Sequence, residues 1–416
     1  MTTEQDFAWR EAALRFRFAG IATLVLAAVG WIAWLYPFDD LLDRSGTPLG
    51  GDYVMLYVAG QTIANGQSHT LYDDGRNQQR SSSLFPTMNP HESWPYRYPP
   101  TVAAVMAPLS HLPFLWSYVA FSAIQLSLLG ACLMLWRNDF ASLRRRPEWL
   151  WAIAGSPLVI EVLVGGQSSL LALLCVLGFA HYYRQENDWL AGGLLALTLY
   201  KPNVLALFIL GCLLVRPRLL RGFVPTVAVG VALAIATCGL SGLLEYLRLG
   251  TQLASSAWSL ETPYWKVHGL APFFQQGLPQ HGKLLCFVTG AVLSAVIAGY
   301  WRAGRVGPQA AMACLLCSNA LFNPYVPIYD LVLLIAALLF ACQAACNGEC
   351  PSLKPGAFQL LAAALFLGPH LSQIAASVLG WQPFPVFLLA ALVALATPAR
   401  LYWLNSSPTP PQLHTF

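Results

Sequence analysis

The stretch WLAGGLLALTLYKPNVLALFILGCLLV, Trp189–Val215, decides how the chain is laid out. One transmembrane helix needs about 20 apolar residues, so the run could be a single crossing with length to spare. Charge argues for two short ones. Arg184 precedes the run and Arg216, Arg218 and Arg221 follow it. Basic residues collect on the cytoplasmic side, so both ends belong there. Proline removes a backbone donor and disfavours helix in the residue before it, which puts the break at Lys201-Pro202. Lys201 then lies in or near the outer half of the membrane, where a charged side chain costs about 2.5–3.5 kcal/mol on insertion scales. Such a lysine calls for a water-filled cavity or an anionic partner, unless its stem snorkels to the outer surface.

Outward from this run the same pattern repeats. The 416 residues are 56% hydrophobic and only 10% charged, which is an integral membrane composition. Apolar windows, with short ones accepted in pairs, predict about twelve crossings. They are Phe18–Tyr36, Pro113–Trp136, Trp149–Leu163, Ser168–Tyr183, Trp189–Tyr200, Asn203–Val215, Phe223–Leu243, His281–Trp301, Ala310–Phe322, Leu331–Cys346, Phe358–Leu379 and Phe384–Trp403. The first follows Arg10, Arg15 and Arg17 and has no small-residue cleavage site after it, so it reads as a retained helix and not a removed signal. With the N-terminus inside, Arg137, Arg144, Arg145, Arg146, Arg302, Arg305, Lys354 and Arg400 also fall on the inner side, and both termini are expected in the cytoplasm.

The expected architecture is all-α and polytopic, one membrane domain over residues 1–416 with two long outer loops, 37–112 and 244–280, carrying short amphipathic helices. A net charge of +4 gives no reason to expect nucleic acid. The 14 Trp and 16 Tyr, many beside polar loops, suit the water–lipid boundary. Most of the ten Cys lie in apolar runs, where Cys behaves as a small hydrophobe. Cys314 and Cys317, like Cys342, Cys346 and Cys350, have metal-like spacing but no second ligand pair. With no Asp-x-Asp pattern either, no metal or other cofactor is expected.

Polar residues at the outer ends supply the site candidates. In Gly50-Gly51-Asp52-Tyr53 two glycines turn the chain into an amphipathic helix expected over Tyr53–Ala64 and stopped by Asn65-Gly66. Asp52 is either the N-cap of that helix or a carboxylate poised at a membrane exit. The same loop holds Asp73-Asp74, which suit a solvated turn, and Tyr96-Arg97-Tyr98-Pro99-Pro100. The second loop holds Tyr264-Trp265-Lys266-Val267-His268, where Trp265 and His268 suit a sugar-stacking platform or an interfacial anchor. Glu161 stands near the outer end of an apolar helix, as a cavity lining or paired with a base. Gln167 is placed to bond a sugar or to cap its helix. Asp330 starts a crossing, where N-capping is the readier role.

An ordered set of these pieces resembles glycosyltransferase family 87, the polyprenol-phosphate-mannose-dependent mannosyltransferases with the GT-C membrane fold. The pieces are Asp52 with Tyr57 and Ala59; Asn65-Gly66; Leu71-Tyr72-Asp73; Tyr98-Pro99-Pro100; Pro108-Leu109; Leu112-Pro113; Gly166-Gln167; Lys201-Pro202; and Asn323-Pro324 with Tyr329-Asp330. The resemblance implies an enzyme of the bacterial inner membrane that takes a lipid-phosphate sugar at the outer face, with its catalytic carboxylate in the first outer loop, at Asp52. Mannose is the default sugar, and the acceptor is a lipid or glycan hydroxyl. In that chemistry Asp52 is the expected base. Lys201, helped by Arg97 or His268, is expected to hold the departing phosphate, and Tyr57, Tyr98, Glu161, Gln167, Trp265 and Asp330 to contact substrate. Two rivals share the helical pattern: a secondary transporter, which expects repeats and central polar sites, and a polysaccharide polymerase or ligase using a lipid diphosphate.

Overall fold

The computed structural model describes residues 3–35, 39–89, 93–140, 147–255, 266–350 and 353–405, and among them there is no β-strand. Trp265, Arg144, Arg145, Arg146 and the proline-rich tail lie outside the described residues. In chain order the helices are α1 Thr3–Leu35, α2 Tyr53–Ala64, α3 Asp74–Leu84, α4 Pro100–Ser110, α5 Phe114–Asp139, α6 Glu148–Ala154, α7 Pro157–Val164, α8 Ser169–Arg184 and α9 Asp188–Leu197. They continue as α10 Pro202–Val215, α11 Leu220–Ser255, α12 Ala271–Gly277, α13 Gly282–Arg302, α14 Pro308–Phe322, α15 Leu333–Cys346, α16 Pro355–Leu379 and α17 Phe384–Asn405.

Where they are described, the twelve apolar runs fall mainly on helices, and among the described residues six segments are long and apolar enough to cross a membrane: α1, α5, α11, α13, α16 and Ile328–Cys346. Their burial sorts them into two layers. α14 is buried along nearly its whole length and forms the centre with α8, α10 and α15. The outer helices present large apolar side chains outward, among them Phe18, Val25, Leu126, Val288, Leu360 and Val378. Exposed aliphatic surface on this scale fits contact with lipid.

The run Trp189–Val215 is broken where the proline argument puts it. α9 ends in a single 3-10 turn, Thr198–Tyr200, Lys201 is extended (φ −135°, ψ 72°), and Pro202 opens α10. The run Trp149–Leu163 is also broken. Ser156 precedes Pro157 in an extended conformation and splits the run into α6 and α7. One boundary differs from expectation. α11 does not end near Leu243 but continues to Ser255, turning at Gly239, which alone in the helix takes a positive φ (69°). Helical continuation satisfies backbone groups that an open loop would leave to water, and it brings Tyr246 onto Tyr72 of the first loop, with ring centroids 5.9 Å apart.

That first loop is a packed layer. α2 lies along α4, and an aromatic core of Tyr53, Tyr57, Phe85, Tyr96, Phe114 and Phe121 fills the space between them and the start of α5. α2 has the bounds read from sequence, with Asn65 at its C-cap and Gly66 at φ 68°.

Two glycines bring the loop before α2 against the loop before α8. Gly166 has φ 63°, and a Cβ there would collide with the Gly50 carbonyl and the Tyr53 backbone; Gly50, at φ 79°, faces the Tyr118 ring as closely. Gly166→Ala should therefore destabilise by roughly 1–3 kcal/mol through backbone strain and overlap, and should lower activity by parting the two loops. Gly30→Ala, on a helix face with nothing within 4 Å of the added carbon, is the neutral control. Thermal unfolding of the detergent-solubilised variants measures both.

Candidate active site

Four chain breaks meet at one end of the bundle: the loop before α2, the Gly165-Gly166-Gln167-Ser168 turn before α8, the Lys201 break before α10, and the 3-10 turn Ile328–Val332 before α15. Each places a polar side chain where a helix begins. The opposite end is distinct. There Asp139 holds His181 (2.8 Å) and Arg184 (2.5 Å), and Asp188 holds Arg216 (2.6 Å). α8, which runs from Ser169 to Arg184, separates the two ends by about 24 Å at 1.5 Å per residue.

At the first end the side chains form one connected set. Lys201 is buried, and its Nζ donates to Asp330 Oδ1 at 2.6 Å, to Ser169 Oγ at 3.2 Å and to Gln167 Oε1 at 3.4 Å. Ser169 Oγ in turn donates to Asp330 Oδ1 at 2.6 Å. The Gln167 amide nitrogen donates to Asp52 Oδ2, and Tyr98 Oη donates to Gln167 Oε1 at 3.3 Å. The ammonium also lies 4.6 Å from the centre of the Tyr329 ring and 5.9 Å from that of Tyr98. Both distances are within the range where a cation is attracted to a ring face. Asp52 and Lys201 are thus one amide group apart.

The carboxyl of Asp52 does not cap α2; no side-chain cap bond is made there. It is turned inward. Burial pushes its pKa up to about 6 even though Lys201, Lys266 and the Gln167 hydrogen bond favour the ionised form, with Glu161 adding a smaller push upward. The group is ionised at neutral pH and more basic than a solvent-exposed aspartate.

Lys201 is paired and buried, so its stem does not snorkel. Asp330 sits inside the 3-10 turn, whose N-cap is Pro327; it takes no capping role and is the lysine's counter-ion. Gln167 likewise does not cap α8, whose N-cap is Ser168, and spans Asp52 and Lys201. Tyr98 joins the set. Glu161 is close enough to Asp52 to act on it and has His370 Nε2 at 3.5 Å.

The remaining expected residues are engaged elsewhere. Arg97 makes a two-pronged pair with Asp74 (2.8 and 2.7 Å), which neutralises it. His268 is fully buried, with its backbone N–H on the Val326 carbonyl, its Nε2 3.3 Å from the Pro369 carbonyl and its ring edge-on to Phe384. Burial drives its pKa down to about 4, so at neutral pH it carries no charge for a phosphate. Tyr57 donates to the Leu112 carbonyl at 2.9 Å and packs on Phe114, as part of the first loop's core.

Three residues of the set receive no site role from the sequence reading. Ser169 follows Gln167 by two positions at a helix start, where Ser is unremarked. Tyr329 adjoins Asp330 in an aromatic-rich turn. Lys266, exposed on the second loop, acts electrostatically on Asp52, and its neighbours Trp265 and His268 drew attention before it.

The profile of glycosyltransferase family 87 matches residues 96–326, more than half of the chain. That span contains Tyr98, Glu161, Gln167, Ser169, Lys201 and Lys266, and Asp52 and Asp330 flank it. No curated protein and no solved structure matches the chain. A helical membrane protein with a connected polar site at one end, matched over this length, belongs to glycosyltransferase family 87.

Proposed function

We propose that this membrane glycosyltransferase moves a hexose, mannose by default, from a polyprenyl-phosphate sugar to a lipid or glycan hydroxyl at the outer face of the bacterial inner membrane. The observation that carries the reading is the meeting of Asp52 and Lys201 on the single amide of Gln167, which joins a carboxylate to fixed positive charge at one end of the bundle. Such a sugar already bears its leaving group. Transfer then needs a base at the acceptor hydroxyl and positive charge on the phosphate side. In this reading Asp52 takes the acceptor proton as the acceptor oxygen bonds to the anomeric carbon and the bond to the phosphate oxygen breaks, one displacement with inversion.

The positive side falls to Lys266, since Lys201, the other cation that acts on Asp52, is paired with Asp330. Arg97 and His268 have no part in it, being neutralised by Asp74 and buried uncharged. An outward-facing site is supported by charge. The opposite ends of α5, α8, α11 and α13 carry Arg137, Arg184, Arg218, Arg221 and Arg302, the distribution of cytoplasmic ends. Membership in a transferase family sets the transporter reading aside.

The purified protein incubated with radiolabelled polyprenyl-phosphate mannose should release polyprenyl phosphate in step with acceptor labelling. Turnover of a lipid-diphosphate sugar, with none of the monophosphate, would overturn the donor assignment. Asp52→Asn should lower kcat by about 100- to 10,000-fold, the span a positioned base contributes, with donor binding retained. Because Asp52 must be ionised to act, kcat/KM should rise with pH, level off above about 6 and fall about tenfold per pH unit below it. Lys266→Ala should raise KM for the donor roughly three- to tenfold with little change in kcat, as befits one exposed charge.

A further inference from the structure

Lys201 has three N–H donors, and three oxygens receive them: Asp330 Oδ1, Ser169 Oγ and Gln167 Oε1. To grip a phosphate it would have to give up one of these, and Asp330 is its counter-ion in a buried pair. The geometry suits a different task. An ammonium can only donate and an ionised carboxylate can only accept, so the ends of the Gln167 amide are fixed by their neighbours. Oε1 faces Lys201 and the Tyr98 hydroxyl, and Nε2 faces Asp52. Turning the amide over would set its NH2 against the ammonium and its oxygen against the carboxylate.

We propose that Gln167 is a positioning residue, through which the Lys201–Asp330 pair aims the Asp52 carboxylate and holds it ionised, so that Lys201 serves the base and not the departing phosphate. The inference rests on reading Asp52 as the base. With Oδ2 held by Gln167, Oδ1 remains for the acceptor hydroxyl. The backbone contributes to the same end. Gln167 is anchored by its N–H on the Val162 carbonyl (3.0 Å) and follows Gly166, whose lack of a Cβ lets the Asp52 loop come this close. The other charged or titratable groups acting on Asp52 are Lys266 from the second loop, Glu161 from α7, and the Tyr98 and Tyr329 phenols. The directed hydrogen bond to Asp52 Oδ2 is made by Gln167.

The test follows the Asp52 carboxyl itself, by infrared difference spectroscopy of the full-length protein in detergent, with its band identified as the one lost in Asp52→Asn. In the unaltered protein the band should half-titrate near pH 6. In Gln167→Met, which keeps the length and loses the amide, the midpoint should rise by about one pH unit, because a hydrogen bond to the charged form is gone. The acid limb of kcat/KM should move with it. Gln167→Glu keeps partners for Lys201 and Tyr98 but sets a second carboxylate against Asp52, so the midpoint should rise further. An unmoved midpoint in either folded variant overturns the proposal, and Gln167→Glu decides the matter if Gln167→Met does not fold. Turnover retained by Asp52→Asn would instead overturn the base assignment, and the titration tells the two failures apart.

Discussion

A lysine ammonium held inside an apolar bundle is the constraint on which the rest of this structure depends. Lys201 stands between two helices whose one other charge, Asp188, lies at the far end of α9, and an unpaired cation there would be costly. The chain answers with a carboxylate from another crossing, a serine hydroxyl, an amide oxygen and two ring faces. Those partners come from three further segments, so satisfying one charge fixes the mutual position of α8, α10, α15 and the Tyr96–Pro100 stretch. A buried ion pair is seldom a large net stabiliser against an apolar alternative, yet removing one partner is strongly destabilising. The pair therefore acts chiefly to specify geometry.

From that fixed point the polar set extends outward to Asp52, the half-buried member nearest the outer loops. The gradient is chemically useful. Its inner members Lys201, Ser169 and Asp330 bond one another through Asp330 Oδ1, whereas Asp52 lies where a loop closes over the bundle. There its basicity is set by burial working against nearby positive charge. The aromatic core under α2 and α4 keeps this loop from behaving as a free connection, so the carboxylate is presented by a rigid layer.

Much of this was legible in the sequence because the signals are local. Apolar run length marks the helices, Lys201-Pro202 marks the break, and Asn65-Gly66 marks the end of α2. What was not legible depends on partners far apart in the chain. Asp330 looks like a helix cap from its neighbours alone, and only the fold sets it on a lysine 129 positions away. Gln167 shows nothing locally of its two-sided role. His268 sits among polar and aromatic residues in a loop, yet α16 supplies the Pro369 carbonyl over it and removes it from water. Arg97 is a free cation on paper, and α3 gives it Asp74. The helix end expected at Leu243 failed for a related reason, since packing against Tyr72 favours continuing α11 over opening it.

The pairing of Lys201 with Asp330 also dictates an order of events during biosynthesis. The chain emerges from its N-terminus, so α9 and α10 enter the membrane while the segment bearing Asp330 is still unmade. For that interval the ammonium lacks its counter-ion and must be kept wet, at the mouth of the insertion machinery or at the bilayer surface. The two short helices flanking it can settle to their final depth only once Ile328–Val332 has arrived, which makes closure of the centre a late step in the life of the nascent chain.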